Sequence, residues 1–319
     1  MACRAAVRAA IADLPTGGVV LVAVSGGPDS LALAAALAWI AERSDRTAGA
    51  VCVDHGLQVD SDQIALRAGD VCRALGLDPV DVIPVEVPAD SPLGPEAAAR
   101  VVRYEALAGA AQRHGAAAVL LGHTRDDQAE QVLLGLLRGS GLRSLAGIPP
   151  RRGQVRRPFL GISRAQTEES CAELGLEPWH DPHNGDSTYA RVRVRQALGD
   201  LTRDLGPGIS EALARTAEQL RADADLLDQL ADDAVSALGA GPWPVAHLGA
   251  LGAPIRTRVW RRLLIAAGAP AGQVSARHTD QCDRLLTHWR GQGPLQVPGG
   301  LSVRRVGPSV RIEAPHTVN

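Results

Sequence analysis

Six residues, Ser25-Gly26-Gly27-Pro28-Asp29-Ser30, hold the densest chemistry in the chain. They follow an apolar run, Val19 to Val24, that reads as a buried strand, and precede an Ala- and Leu-rich run that reads as a helix. A short loop at such a junction offers bare backbone N–H groups and a helix N-terminus, which together hold phosphate. Gly26 and Gly27 let the backbone approach an anion closely. Ser25 and Ser30 add hydroxyl donors, and Pro28 suits a first helical turn, where its missing N–H costs nothing. Asp29 is the odd member, because a bare carboxylate repels phosphate. The conflict disappears if Asp29 binds Mg²⁺, directly or through a water, that also binds the phosphates. The chain contains no Lys, so the loop is not of the Walker type, whose Lys reaches the β- and γ-phosphates. The plainer alternative is a glycine-rich turn with an Asp at the helix start.

Other polar groups gather at comparable junctions. Asp54 and His55 follow the apolar run Val51-Cys52-Val53, a position from which a nucleoside can be reached; an Asx turn with a satisfied His explains them equally. His123 follows a further apolar run and opens Gly122-His123-Thr124-Arg125-Asp126-Asp127-Gln128-Ala129-Glu130. Asp127 and Glu130, three apart on the first turn of a helix, share a face. Two acids so placed suit Mg²⁺ or a cationic substrate, whereas favourable placement at a helix dipole explains one acid more easily than three. Arg100, Arg103 and Tyr104 lie on adjoining turns of another helix and suit an anion or a nucleotide edge; the alternative is Arg stems covering the core. A polar stretch from His180 leads into Arg191, Arg193 and Arg195, and polar loops of this kind often carry function.

The elements that must position these groups alternate. Strand-like runs are 19–24, 48–53, 80–87 and 117–121, and helix-like runs are 30–41, 61–75, 95–114 and 126–137. That order predicts an α/β fold with a parallel sheet covered by helices on both faces. Ligands of such sheets bind beyond the carboxyl ends of the strands, so the Ser–Gly loop, Asp54-His55 and Gly122-His123 should line one cleft. Asp200 to Leu238 reads as a long amphipathic helix, with leucines at 213, 220 and 227 after Gly206-Pro207-Gly208. Beyond the Gly- and Pro-rich run 239–244 come one or two helices, around 256–267 and 279–289, and a hairpin of 295–303 with 309–312. The expected organisation is a catalytic domain over 1–199, a helical linker over 200–240 and a small α+β domain over 241–319.

Composition narrows the class. Residues 131–167 hold seven Arg and no acid, residues 200–233 hold nine acids and three Arg, and residues 236–312 hold ten Arg and two acids. Basic blocks are an electrostatic footprint for nucleic acid, although Arg is the only long cation the chain uses and also solvates ordinary surface. The five cysteines are scattered with no Cys-x-x-Cys, against a zinc knuckle or paired-thiol centre. No signal core and no run of about 20 apolar residues is present, so the expectation is a cytoplasmic protein without a membrane segment.

Taken in order, the blocks resemble the tRNA(Ile)-lysidine synthetases of the PP-loop ATP pyrophosphatase superfamily, whose fold is Rossmann-like. Ser-Gly-Gly-Pro-Asp-Ser fits the whole superfamily. Val-Asp-His-Gly-Leu, Arg-x-x-Arg-Tyr-x-x-Leu, Asp-Asp-Gln-Ala-Glu, Arg-Gly-Ser-Gly, Arg-Arg-Pro-Phe-Leu and Asp-x-x-Asn-x-Asp-x-x-Tyr point to this family. The resemblance runs from about residue 20 to 195, with a weaker echo in Val297-Pro-Gly-Gly-Leu-Ser-Val. It implies ATP and Mg²⁺, an isoleucine tRNA with a CAU anticodon, and L-lysine. The wobble cytidine is adenylated at O2, and the lysine ε-amine then displaces AMP to form lysidine. By resemblance, Ser25, Gly26, Gly27, Pro28, Asp29 and Ser30 hold the ATP phosphates with Asp29 on the metal. Asp54, His55 and His123 lie at the nucleotide, and Asp127 and Glu130 meet the lysine ammonium. Arg100, Arg191 and Arg193 contact phosphate or the transition state. The chain departs from the family pattern at Thr124, where a second His is common, and at Arg191-Val192-Arg193, where Arg-Asn-Arg is usual. Oligomeric state stays open, a homodimer among the alternatives. Competing readings are a PP-loop tRNA thiolase, disfavoured by the unpaired cysteines; a small-molecule PP-loop ligase; and a non-catalytic, nucleotide-gated RNA-binding module.

Overall fold

The computed structural model describes residues 1–56, 60–88, 90, 91, 94–181, 188 and 190–314. Most of the Asp-x-x-Asn-x-Asp-x-x-Tyr block, including His183, lies outside the described residues. The chain divides into two units, residues 1–220 and 221–319.

In the first unit, the amphipathic N-terminal segment forms α1 (Ala2–Ala10) and the apolar runs form a sheet. β1 (Val19–Val24) is central, followed by α2 (Pro28–Ala41), β2 (Thr47–Asp54), α3 (Ser61–Ala74), β3 (Val80–Pro84), α4 (Pro95–Arg113) and β4 (Ala116–Leu120). All four strands are parallel, in the order β3-β2-β1-β4. The expected strand 80–87 stops at Pro84, which has no N–H to continue the ladder. After α5 (Arg125–Leu137) and α6 (Leu142–Leu145), a two-residue-stranded hairpin, β5 (Arg151–Arg152) and β6 (Val155–Arg156), extends the β4 edge. α7 (Arg164–Glu173) and α8 (Ala190–Leu205) follow.

Alternation along the strands explains both faces. Val20, Val22 and Val24 of β1 join α1, α2, α3 and α7 in one core, whereas Leu21, Val51 and Val119 pack on Leu107, Ala110 and Ala111 of α4. α2 is apolar nearly all round, with ten of its fourteen residues buried, because it lies between the sheet and the pair α1 and α7. The strand order reverses at β1 and β4, so their carboxyl ends open a crevice suited to a ligand.

The segment 200–238 is two helices, not the single one expected. α8 ends at Leu205, Gly206 takes φ +104°, and α9 (Ile209–Leu238) starts afresh. Within α9 the fully buried stripe is Ala217, Ala224 and Ala231, while Leu213, Leu220 and Leu227 are only half-buried.

In the second unit, β7 (Trp243–Pro244), α10 (Val245–Gly249), α11 (Ala253–Ala266), α12 (Ala276–Thr287), β8 (Leu295–Val297), β9 (Leu301–Val306) and β10 (Ser309–Glu313) enclose Trp260, Leu264, Leu285, Val303 and Val310. The antiparallel order is β7-β10-β9-β8. Pro298-Gly299-Gly300 splits the expected first hairpin strand into β8 and β9. Part of the charge pattern closes within this unit. Arg258 and Arg262 of α11 pair with Asp228 and Asp232 of α9, and Arg256 pairs with Asp283. These cations are engaged by acids of the chain itself. No helix among the described residues is long and apolar enough to cross a membrane.

Candidate active site

The carboxyl ends of β1, β2 and β4 meet around a cavity of about 620 Å³, lined by Ser25, Gly27, Pro28, Asp29, Ser30, Asp54, His55 and His123 among others. Residues 25 and 123, nearly a hundred apart in sequence, thus share one wall, as the strand-end argument expects. Gly26 completes the loop at φ +83°, a conformation L side chains rarely adopt. The loop is held from within. The Ser25 N–H donates to Ser30 Oγ at 3.1 Å, and the Ser30 hydroxyl donates to the Gly27 carbonyl at 2.9 Å. It is also held from outside: the Trp179 N–H donates to the Gly26 carbonyl at 2.9 Å. Gly27 caps α2 and Pro28 occupies its first turn.

Gly122 makes room for this loop. A Cβ there would lie 3.0 Å from the carbonyl carbon and oxygen of Asp29 and 3.2 Å from the Ser30 nitrogen. Sequence reading placed Gly122 at a strand end without finding this reason for glycine.

Burial pushes the Asp29 carboxyl above its usual range, against a hydrogen bond from Thr167 and the charge of Arg164. A carboxylate that is costly to ionise among protein groups gains from a cation. Among the described residues no three metal-binding side chains cluster; Mg²⁺ needs only one or two carboxylates when phosphates and water complete its shell. The site therefore fits a metal brought with a nucleotide. Three buried polar atoms at the cavity, His55 Nδ1, His123 Nδ1 and Arg103 Nε, have no protein partner, which is what a polar ligand would satisfy. The Asx turn at Asp54 is present, with Gly56 N–H donating to its Oδ1 at 3.0 Å, but the satisfied His of that alternative is not. Burial depresses the His55 imidazole below its ordinary value. Burial also takes His123 down to about 4, with Arg157, Arg100 and Arg103 adding to the effect and Asp127 opposing it. His123 is therefore a neutral hydrogen-bonding group at pH 7.

A charged network forms part of the cavity wall. Glu130 is buried, 3 % exposed, and accepts from Arg195 Nε at 2.7 Å. Arg164 lies between three acids: Nε is 3.6 Å from Asp29, one terminal nitrogen 3.3 Å from Asp127 and the other 3.9 Å from Glu130. Burial disfavours the Arg164 charge, but Asp127, Asp29, Glu130 and Asp126 outweigh it and raise its pKa. Arg164 and Arg195 themselves line the cavity. Neither stood out in the sequence as a site residue; Arg164 there served only to start a helix behind the Ser163 cap, which is present.

Thr124 explains its own place. It caps α5, and its N–H and hydroxyl reach Asp127 Oδ2 at 2.7 and 3.0 Å. Asp127 thus serves the helix start with one oxygen and Arg164 with the other. Gln128 of the same motif is structural: its amide donates to the Ile148 carbonyl at 3.1 Å and its oxygen accepts from the Ile148 N–H.

The remaining candidates are more peripheral. Arg100 is exposed and stacks 5.1 Å from the Tyr104 ring, whereas Arg103, one turn away, lines the cavity. Arg191 and Arg193 are exposed on α8, the latter donating to the Thr188 carbonyl at 2.8 Å. Part of the basic loop is internally engaged, since Arg151 and Arg156 pair with Asp13 and buried Arg157 donates to Tyr104 at 3.1 Å.

Residues 4–202 match the family model described as the PP-loop domain, and residues 244–307 match that of the TilS substrate binding domain. A tRNA(Ile)-lysidine synthase of Thermobifida fusca is 54 % identical over 305 residues, covering 95 % of this chain and 94 % of the relative. The chain belongs to the tRNA(Ile)-lysidine synthase family. The family member of Streptomyces coelicolor is 52 % identical over 92 % of this chain and 85 % of its own, and that of Salinispora arenicola 52 % identical over 96 % and 94 %. The family is one of ligases, so the chain is an enzyme of that class. A solved U34-tRNA thiolase of Methanococcus maripaludis, with its 4Fe-4S cluster, superposes with a TM-score of 0.58 at 19 % identity over 68 % of this chain and 78 % of its own. That likeness shows the PP-loop fold alone. The five cysteines here, Cys3, Cys52, Cys72, Cys171 and Cys282, are all buried and free.

Proposed function

We propose that this enzyme uses ATP to attach L-lysine to the wobble cytidine of an isoleucine tRNA with a CAU anticodon, releasing AMP and pyrophosphate. The observation that carries the reading is Arg164, which touches Asp29 of the phosphate loop and the acid pair Asp127 and Glu130 at once. The phosphate loop and the acid pair assigned to the lysine amine are therefore parts of one charged unit, an arrangement that suits a two-substrate ligase.

In the first step cytidine O2 attacks the α-phosphorus of ATP, and the α–β bond breaks with its electrons leaving on pyrophosphate. The loop Ser25 to Ser30 is already held in shape by its own hydrogen bonds, so those of its N–H groups that are not engaged within it would meet the phosphates with little reorganisation as charge develops. Asp29 would hold Mg²⁺, whose contribution is neutralisation of phosphate charge. Asp54, His55 and neutral His123 would meet the nucleotide, and Arg100, Arg191 and Arg193 would contact phosphate at the open side. In the second step the lysine amine forms a C–N bond to cytidine C2, and the C–O bond to AMP breaks with its electrons leaving on AMP. Asp127 and Glu130 would hold the amine. In this reading residues 1–199 are catalytic, 200–240 a linker and 241–319 a tRNA-capturing domain.

The test follows labelled lysine and AMP with purified protein, Mg-ATP and unmodified isoleucine tRNA, with elongator methionine tRNA of the same anticodon as control. Lysine incorporation confined to the isoleucine tRNA is expected. AMP release without incorporation would reassign the nucleophile, and neither signal would favour the RNA-binding module.

A further inference from the structure

The acid pair assigned to the acceptor amine does not face the cavity bare. Arg164 and Arg195 line the cavity, and Asp127 and Glu130 are ion-paired to them. Among the described residues, and with Asp29 given to the metal and phosphates, Asp127 and Glu130 are each already met by a guanidinium, so their charge is largely engaged before an ammonium arrives. An amine needs its lone pair to attack, and a strong unpaired carboxylate would hold it protonated. A cationic neighbour has the opposite effect and is a known way to free an amine at neutral pH.

We propose that Arg164 and Arg195 are resident counter-cations that cancel the charge of Asp127 and Glu130, so that the acceptor amine is held by hydrogen bonds in its neutral, nucleophilic form. The inference rests on the lysine reading above and names how that site treats its substrate. Arg195 comes from α8 and Arg164 from α7, so two elements independently bring a cation to one acid pair on α5. Among the described residues, the other charged groups at the cavity or beside the acid pair include Arg125 and Asp126 on α5, Glu168 on α7, Arg103 on α4, Asp181 and Asp29, with neutral His123 at the end of β4. Asp126 is already engaged, accepting from the Arg164 backbone N–H at 2.8 Å. The proton shed by the ammonium goes to solvent. Arg164 and Arg195 are positioning residues, acting on the amine through the acids.

Lysine affinity has opposite signs under this role and a merely structural one. Arg195→Gln should bind lysine about tenfold more tightly at pH 7, with norleucine, which lacks the ε-amine, unchanged. Arg195→Lys should restore the weaker binding. If Arg195 only shapes the site, Arg195→Gln weakens both ligands, and that result overturns the proposal. The wild-type protein supplies a test independent of any variant's folding. Because the ε-amine titrates near pH 10.4, selection of its neutral form makes the lysine Kd, measured calorimetrically with ATP present, fall by up to about tenfold per pH unit between 7 and 9. A flat profile overturns the proposal while leaving the lysine reading intact. Wild-type protein that binds no lysine overturns both.

Discussion

Gly122→Ala should cripple nucleotide activation while adding only one methyl group. The new Cβ would meet the Asp29 carbonyl carbon and oxygen at 3.0 Å and the Ser30 nitrogen at 3.2 Å. Comfortable heavy-atom contacts lie near 3.5–4.0 Å, so the overlap is roughly 0.5 Å on three backbone atoms. No flexible side chain can yield. Either the end of β4 or the first turn of α2 must move, and the second carries Asp29 and the loop N–H groups. Overpacking of this kind costs about 1–3 kcal/mol, a fall in Tm of about 2–4 °C per kcal/mol for a unit of this size. A shift approaching an ångström at a positioning element costs up to about a hundredfold in rate, so kcat/KM for ATP should drop about tenfold to a hundredfold. The assay is tRNA-dependent AMP release against ATP concentration, with a thermal melt on the same sample. Gly199→Ala is the control: Gly199 lies in α8 with open space around it, and the change should stabilise by up to about 1 kcal/mol. If Gly122→Ala retains wild-type kcat/KM and Tm, the steric argument is wrong.

Asp127→Asn keeps an oxygen for the Thr124 N–H but gives up the charged pairing with Arg164, so it should raise the lysine KM about tenfold while tRNA-dependent pyrophosphate release without lysine persists; an unchanged KM would remove Asp127 from the amine site. His123 binds its proton only near pH 4 when folded, against 6.5 for the ordinary group. The unfolded chain therefore takes up that proton first, and stability is lost as pH falls from 6.5 toward 4. His123→Gln should flatten that limb of the Tm–pH curve, and an identical limb would refute its burial as a neutral group. Asp283→Ala strands Arg256, 9 % exposed and paired through both carboxylate oxygens. It should cost the second unit about 3–5 kcal/mol in urea melts, and a loss below about 1 kcal/mol would contradict the pairing.

How much of this was legible in the sequence differs by element. β1, β2 and β4 could be read because buried parallel strands are continuous apolar runs, and the polar residues just past them had to converge once the strand order was right. The two cations of the network could not. Arg164 reaches back 34 residues to Glu130 and Arg195 reaches 65, leaving no local spacing to detect. All 33 long cations of the chain are Arg, so a functional one is not marked by type. For the same reason the basic blocks overstated the free charge: Arg151, Arg156, Arg256, Arg258 and Arg262 close on acids of the chain itself. The leucine repeat of α9 located a helix but missed its axis of burial, because alanines four residues on from each leucine form the inner stripe.

The backbone bond between Trp179 and Gly26 gives the phosphate loop an optical label of its own. Of the five tryptophans, Trp39, Trp179, Trp243, Trp260 and Trp289, it is Trp179 that lines the cavity. A ligand entering the loop changes the polarity around that indole before any bond is made or broken. Replacing the other four by phenylalanine would leave a single emitter, and stopped-flow fluorescence could then time nucleotide arrival separately from chemistry without a reporter attached to protein, ATP or RNA.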